Sequence, residues 1–443
     1  MNKFIQSFSL LAVVSALIAA GLIAFDYVQT RERFPSQTFI GSASVSGLTR
    51  QEAVNKLSRL PLSAVFSPLV SFEAEKLFFA FSPSDVGIRI NYEATVNQAF
   101  AAIHQESYLK ELRKRLKKGE TFLPLILESQ DQVTKSAIQL ISDQIRSTAK
   151  DASIVLYEET GGYHIEAEDL GREVNFNETL KEFKSRLAEG KAAYPVIIIY
   201  TYPKITEKML RAYPPVHRLS AYTTYYGRHD SPNRIHNIKL IASWLDGTLL
   251  LSGESFSLAD AIGDFTPERG FKEAFVIYQG VLVPQLGGGT CQIGTTLYNA
   301  IVLSDLEILS RSNHSFYFNI YPLGRDATVY PGQKDLKFKN NTGHPILIKA
   351  VATNKRLSFR VYGTPTGKTV NFSSPSVYLL EEGTGYRPAT VREVLDSDRP
   401  FKTIVIRTVY DAAGNKIKEE TINSYYKLYG EKSNVPIARP EPR

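Results

Sequence analysis

Gly287-Gly288-Gly289-Thr290-Cys291-Gln292-Ile293-Gly294-Thr295-Thr296-Leu297-Tyr298-Asn299-Ala300 is the stretch on which the reading of this chain turns. Three glycines lead straight into a helix start. Cys291 then falls in the first turn, where the helix dipole and the unpaired N–H groups stabilise a thiolate. It is the only Cys among 443 residues. That count allows no internal disulfide and no Cys-based zinc cage, which excludes disulfide scaffolds, zinc fingers and thiolate iron–sulfur sites together.

Downstream, His314 follows 23 residues later at the start of the aromatic stretch FYFNIY, and Asp326 follows 12 further on, entering ATVY. Read as a helix Cys, a strand His and a strand Asp, the order is that of papain-like and transglutaminase-like enzymes, an analogy of roles. His314 is then the base and Asp326 orients its imidazole. Gln292, or the amides of Gly289 and Thr290, would serve an oxyanion. A second reading stands beside this one: a lone Cys commonly only fills buried space, the glycines let a loop pass close to a neighbouring strand, and Asp326 beside Arg325 suits a structural ion pair. His236 and His344 are weaker candidates, with His344 expected to face solvent from an Asn-Thr-Gly-His-Pro turn. His236, His314 and Asp326 fit metal-ligand chemistry but show no ligand-spacing motif, and no cofactor is expected.

Outward from this region, Asn233-Arg234-Ile235-His236-Asn237-Ile238 opens a helix with Ile235, Ile238, Ile241 and Leu245 on one face, Asn233 as N-cap and Gly247 near its end. A strand runs through Val276 to Tyr278 with a turn at Gln279-Gly280. Towards the C-terminus, TIVIRTVYD, a turn at Ala413-Gly414-Asn415 and KIKEETINSYYK form a closing β-hairpin. Residues 431–443, from Lys432 rich in proline, are expected to be a disordered tail.

The first half carries a repeat. Asp85-Val86-Gly87, Ile90-Asn91-Tyr92 and Thr95-Val96 return 84 residues later as Asp169-Leu170-Gly171, Val174-Asn175-Phe176 and Thr179-Leu180. Each copy reads strand, tight turn, strand, helix. Gly87 and Gly171 are expected to hold backbone angles closed to other residues. Thr49-Arg50-Gln51-Glu52 is a capping box. Leu109 to Lys118 is a basic helical run, read as a solvated face or, more sharply, as a contact with anionic wall polymer or lipid headgroups. Gln132 to Ile145 reads as a further helix.

Phe4 to Phe25 carry no charge and approach the ~20 apolar residues that span a bilayer. Lys3 and the α-amino group precede them, while Asp26, Arg31, Glu32 and Arg33 cancel, so the N-terminus stays in the cytoplasm and the bulk lies outside. A cleaved signal is the alternative, but no clean small-x-small site precedes Asp26 and the run is long for such a segment. Hydrophobic residues at 43%, with 24 Tyr and 24 Phe, exclude disorder along the whole chain. The net charge of +7 suits an anionic envelope surface or nucleic acid equally. The anchor removes nucleic acid from the expected partners.

From about Arg218 to Ala350 the chain resembles the VanW family, bacterial envelope proteins named for a member of glycopeptide-resistance clusters. NRIHNI, GESFS, GGGTCQIGTTLYNA, NHS at Asn313 to Ser315, GRDATVYPG and FKNNTGHPI carry the resemblance. Gly294 departs from it, standing where the family has a hydroxyl residue. The repeat resembles, more weakly, the proposed peptidoglycan-binding domain that accompanies many VanW and L,D-transpeptidase domains. The implied class is α+β: a transmembrane helix within 1–29, a duplicated α+β domain over 38–200, and a VanW-type α+β domain with a C-terminal β-hairpin over 205–430. The implied setting is the cell membrane, bulk outside, with peptidoglycan or its precursors and the cytoplasmic membrane as partners. Two functions fit: a Cys-dependent acyl-transfer or amide-hydrolysing protein acting on peptidoglycan, or a non-catalytic peptidoglycan-binding protein linked to envelope maintenance or glycopeptide resistance.

Overall fold

Thr49 accepts the Glu52 N–H at 3.3 Å while the Glu52 carboxylate accepts the Thr49 N–H at 2.8 Å, so the capping box opens the helix Arg50–Leu57. The computed structural model describes residues 2–60, 62, 69–105, 107–116, 119–226, 230–278, 281–397 and 399–427. The expected tail over 431–443, the Gln279-Gly280 turn and Lys117-Lys118 lie outside them. The chain is mixed α+β and divides into two units, Met1–Ala149 with Leu170–Tyr202, and Lys150–Asp169 with Pro203–Arg443.

The first unit opens with the helix Asn2–Thr30, whose window Val13–Thr30 is unburied, has a mean hydropathy of 1.6, and is long and apolar enough to cross a membrane by length and composition. The repeat then appears as structure. Copy one is a hairpin, Val70–Ala74 with Leu77–Phe81, then the strand Ile88–Ile90 and the helix Tyr92–Ile103. Copy two is Ser153–Tyr157 with Gly162–Glu166, then Gly171–Val174 and Phe176–Ala188. Asn91 caps the first helix by accepting the Ala94 N–H at 2.9 Å, and Asn175 caps the second through Glu178 at 3.2 Å. One turn on, Thr95 accepts the Ile126 N–H and Thr179 the Ile197 N–H, at 2.9 and 3.0 Å, so each helix clips the residue just before a later strand, Leu127–Ser129 and Ile198–Thr201. The repeated residues are therefore caps and clips as well as turns. Gly87 has φ +78, as expected, but Gly171 has an ordinary φ; its missing Cβ makes room for the Ala149 amide, 2.8 Å from where that atom would be. The basic run forms the helix Tyr108–Leu116.

The second copy's hairpin belongs to the second unit, where Ile154 and Ile165 bury against Ile205, Leu210, Leu347 and Tyr362. The core of that unit is a four-stranded antiparallel sheet, ordered His217–Tyr225, Arg356–Gly363, Ile346–Ala352, Thr248–Leu250. Two helices cover it, Pro232–Leu245 and Thr290–Leu303, with Ile238, Ile241, Ile293, Leu297 and Ile301 packed on Leu357, Phe359 and Val361. Ser231, not Asn233, caps Pro232–Leu245, because Pro232 is set for the first helical position and Ser231 accepts the Arg234 N–H at 3.2 Å. The C-terminal hairpin, Phe401–Tyr410 with Lys416–Tyr426, forms and joins a five-stranded sheet.

Arg407 fixes this hairpin to the far end of Thr290–Leu303. It is 2% exposed, its Nε donates to the Val302 carbonyl at 3.0 Å, and Nη2 meets Asp305 at 2.8 Å while Nη1 pairs with Glu420. Buried cations of this kind are held only by full pairing, and removing one partner costs about 3–5 kcal/mol.

Candidate active site

The Gly-rich loop is clamped before the helix begins. Asn237, fully buried, donates to the Lys272 and Gly288 carbonyls at 2.8 and 3.1 Å and accepts the Lys272 N–H at 2.9 Å. Gly289, the N-cap, has φ +110, and a Cβ there would sit 2.7 Å from Ile238. Only glycine meets both demands. The helix then starts at Thr290 and puts Cys291 in its first turn, partly buried. Its amide is among those that a helix leaves without an intrahelical acceptor.

One stripe of this helix holds an extended segment of chain. Asn299 donates to the Arg325 carbonyl at 2.9 Å. Thr295 accepts the Ala327 N–H at 3.0 Å and donates to its carbonyl at 3.1 Å, and the Cys291 thiol faces the Val329 carbonyl at 3.8 Å. Four helical residues advance about 6 Å and two extended residues about 6.7 Å, so the two periods stay in step over these three rungs. Residues 316–321 and 327–329, expected as strands, are irregular, and Tyr330 makes only an isolated bridge to Lys334. Helix side chains satisfy the backbone of the second segment, which leaves it no need of a strand partner.

This docking sets Asp326 beside His314. Asp326 Oδ2 accepts the His314 backbone N–H at 2.7 Å and the ring Nδ1–H at 2.6 Å. An ionised carboxylate can only accept, so Nδ1 carries the proton, and the ring acts on Cys291 through its charge. Arg311 and Tyr426 complete Asp326 by donating to Oδ1 at 3.2 and 2.8 Å. Tyr321 stacks on the imidazole at 5.3 Å and Phe318 meets it edge-on at 5.1 Å.

The electrostatics follow from this packing. Burial pushes the Cys291 thiol up, but the His314 charge and hydrogen bond outweigh it and hold the thiol below its ordinary value. For His314, burial acts downward, yet the charge at Cys291 and the bond to Asp326 carry it up to about 9. Asp326 stays below the usual carboxylate range: burial works against this and is overcome by His314 and Arg311. Each of the first two shifts draws on the other group's charge, so ionisation of the thiol and protonation of the imidazole favour one another.

Cys291, His314 and Asp326 are thus brought together. Gln292 is placed elsewhere: its carboxamide is fully buried, donates to Thr224 Oγ1 and the Tyr225 carbonyl at 2.9 and 3.2 Å, and accepts from Arg234 at 2.7 Å. Both its N–H groups are engaged, so this side chain offers no free donor for an oxyanion. Arg234 also pairs with Asp230 at 2.9 Å and adds positive charge near the sulfur. His236 contacts the Gly270 carbonyl at 2.9 Å, and His344, expected in solvent, is half-buried and stacked on Tyr213 at 4.2 Å. Arg311, Tyr321 and Tyr426 were not singled out from the sequence; the NRIHNI block held the one signal, for Arg234. Among the described residues no group of three His, Cys, Asp or Glu side chains is arranged to hold a metal ion.

Comparison with known proteins places two families on this chain. Residues 233–362 match the model described as VanW like protein, and residues 79–194 match one described as a proposed peptidoglycan binding domain. The uncharacterized protein YoaR of Bacillus subtilis is 36% identical over 162 residues, 37% of this chain and 53% of that protein. The vancomycin B-type resistance protein VanW of Enterococcus faecalis is 27% identical over 169 residues, 37% of this chain and 62% of that one. The matched stretch therefore spans less than two thirds of either relative. No solved structure matches the chain significantly.

Proposed function

Because the chain carries a VanW-family domain with a peptidoglycan-binding domain N-terminal to it, we propose that it acts on peptidoglycan from the outer face of the cytoplasmic membrane, through Cys291. Residues 1–29 are its anchor, 38–200 its wall-binding region and 205–430 its reactive domain. The observation that carries the reading is the placing of a cysteine in the first turn of a helix, beside an imidazole that a buried carboxylate holds at 2.6 Å.

In this reading the Cys291 thiolate attacks the carbonyl carbon of a wall-peptide amide, forming a C–S bond. The resulting oxyanion accepts from the Cys291 N–H at the helix start. His314 gives its Nε2 proton to the leaving amine as the C–N bond breaks, which leaves a thioester on Cys291. Water or a second amine then attacks the thioester, His314 takes the proton of that nucleophile, and the thiolate departs. Asp326 keeps Nδ1 protonated throughout, and Arg311 and Tyr426 keep Asp326 ionised.

The test is the rate of iodoacetamide alkylation of the folded protein from mildly acidic to mildly alkaline pH, followed by mass analysis of Cys291 after incubation with peptidoglycan fragments. A reactive thiol below pH 7 and a covalent adduct support the reading. Labelling only after denaturation sinks it. One observation favours a second reading, a non-catalytic peptidoglycan-binding protein: Cys291 is also the third rung of the stripe that holds residues 325–329, a structural place for a thiol. Topology is tested separately by a reporter fused after Arg443, with active alkaline phosphatase expected.

A further inference from the structure

The five-stranded sheet at the C-terminus has a buried face and an outer one. Val377, Leu379, Phe401 and Tyr426 fill the buried face. On the other, register sets Tyr425 opposite Lys402, Lys402 opposite Tyr378, and Tyr378 opposite Pro388, so the four side chains form one row across four strands. Strands stand about 4.8 Å apart, which makes the row about 14 Å long. Tyr386, two residues before Pro388, points to the same face. The Lys402 ammonium lies over the rings of Tyr378 and Tyr386, at 5.0 and 4.9 Å, and fixes both. Tyr386 meets Tyr425 edge-on at 6.5 Å. Despite these contacts Tyr425 remains 54% exposed and Tyr386 39%.

We propose that this row is a glycan-binding surface, and that its ligand is a β-linked amino-sugar strand of the kind that forms the peptidoglycan backbone. Sugar rings are amphipathic in the same way as tyrosine, with apolar C–H faces and polar edges. A row of rings with phenol tips and one ammonium offers stacking and hydrogen bonds along an extended polymer, where a folded protein partner would need a larger apolar patch. Position argues for the same ligand: the Tyr425 carbonyl accepts from Asn313 at 2.7 Å, and the Lys427 N–H donates to the Ser315 carbonyl at 2.6 Å. The strand that carries the row is thereby tied to both neighbours of His314. A glycan held here presents its attached peptides close to the proposed nucleophile. The inference rests on the reading of the chain as a wall-facing protein.

Full-length protein in detergent is mixed with insoluble chitin, a β-linked N-acetylglucosamine polymer without peptide, and the bound fraction is measured against concentration. The native chain is expected to be retained. Tyr386→Ala with Tyr425→Ala should weaken retention at least about tenfold, while the paired Phe variants, which keep the rings, should retain most of it. Both rings are exposed, so the Ala pair should melt like the native protein, and melting is recorded to check this. If the native chain does not bind chitin, or the Ala pair binds it as well as the native chain, the proposal is overturned. Alkylation of Cys291 on the same preparations separates the two ideas, since a protein that holds chitin but labels only when denatured keeps the glycan surface and loses the enzyme.

Discussion

The helix Thr290–Leu303 ends in a buried ionic cluster on each side, and the two clusters differ in one respect. Beyond its C-terminal end, Asp305 takes Arg407 at 2.8 Å and Lys368 at 2.7 Å, while Arg407 also caps the Val302 carbonyl. Cations suit a helix C-terminus, and the guanidinium has acceptors for Nε, Nη1 and Nη2. At the N-terminal end, Asp326 is satisfied as fully, by His314, Arg311 and Tyr426. There the chain of bonds runs on through the imidazole to a partly exposed sulfur. Saturation on every side makes a rivet. Saturation on every side but the last leaves one group of the cluster, the thiol, without such anchoring.

That contrast predicts opposite responses to mutation. Arg407→Leu leaves Asp305 with lysine partners only and the Val302 carbonyl without its donor, and should cost about 3 kcal/mol in urea denaturation, with Cys291 alkylation unchanged in the folded fraction; a parallel loss of thiol reactivity would show that the two ends are not separable. His314→Ala acts the other way. Without the imidazolium the thiol returns towards its ordinary value, so the alkylation rate at pH 6 should fall about 100-fold, and an unaltered rate would reduce the N-terminal cluster to packing. Tyr426→Phe removes a donor to a buried carboxylate and leaves the Gly324 N–H without the acceptor it has at 3.1 Å. A loss of about 1.5–3 kcal/mol is expected, together with a small shift of the alkylation pH profile that a purely structural tyrosine would not cause.

The smallest effect is a softened slope with pH. His314 is raised from 6.5 to about 9 on folding, so its stabilisation is complete below pH 6.5 and is lost as pH rises through about 9. Cys291 is lowered from 9.0, so its stabilisation is complete above pH 9 and is lost as pH falls through the folded value. Above the folded thiol value one declines while the other grows, so stability should fall less steeply with pH there than the imidazole alone would make it. Cys291→Ser removes the growing part and also part of what holds His314 up, so that variant should begin to lose stability at a lower pH than the native protein. A native protein with the same slope as the variant would mean that the thiol and imidazole are not coupled.

Much of this was legible where a local rule is decisive. The capping box at Thr49, the cap-and-clip repeat of Asn91 with Thr95 and Asn175 with Thr179, the Gly-rich helix start and the closing hairpin each rest on neighbours in sequence. The FYFNIY and ATVY segments misled because residue type reports a preference for extended backbone without naming its partner, and Thr295 and Asn299 are the partners of the second. Gly294 has the same explanation: a Cβ there would lie 2.8 Å from Val329, so the departure from a hydroxyl residue brings the docked segment closer to the helix. Arg407 was readable in principle. In Phe401–Tyr410 the inward positions are 401, 403, 405, 407 and 409, and a cation on that side signals a buried acceptor. Tyr426 was not, because no local pattern tells which tyrosine of a Tyr-Tyr pair turns toward a carboxylate 100 residues away.

The three rungs that hold residues 325–329 are unequal. The Asn299 and Thr295 rungs are full hydrogen bonds, and the one at Cys291 is a long contact to sulfur. A zipper frays from its weakest tooth, and here that tooth is the thiol. Opening it frees the sulfur and the Val329 carbonyl while the inner rungs keep Asp326 and His314 in register. The Ala327 amide should therefore exchange its hydrogen slowly, only when the whole segment lifts, whereas the Cys291 contact breaks and re-forms many times in between. A lone thiol seated in this way is the point at which the segment should open first.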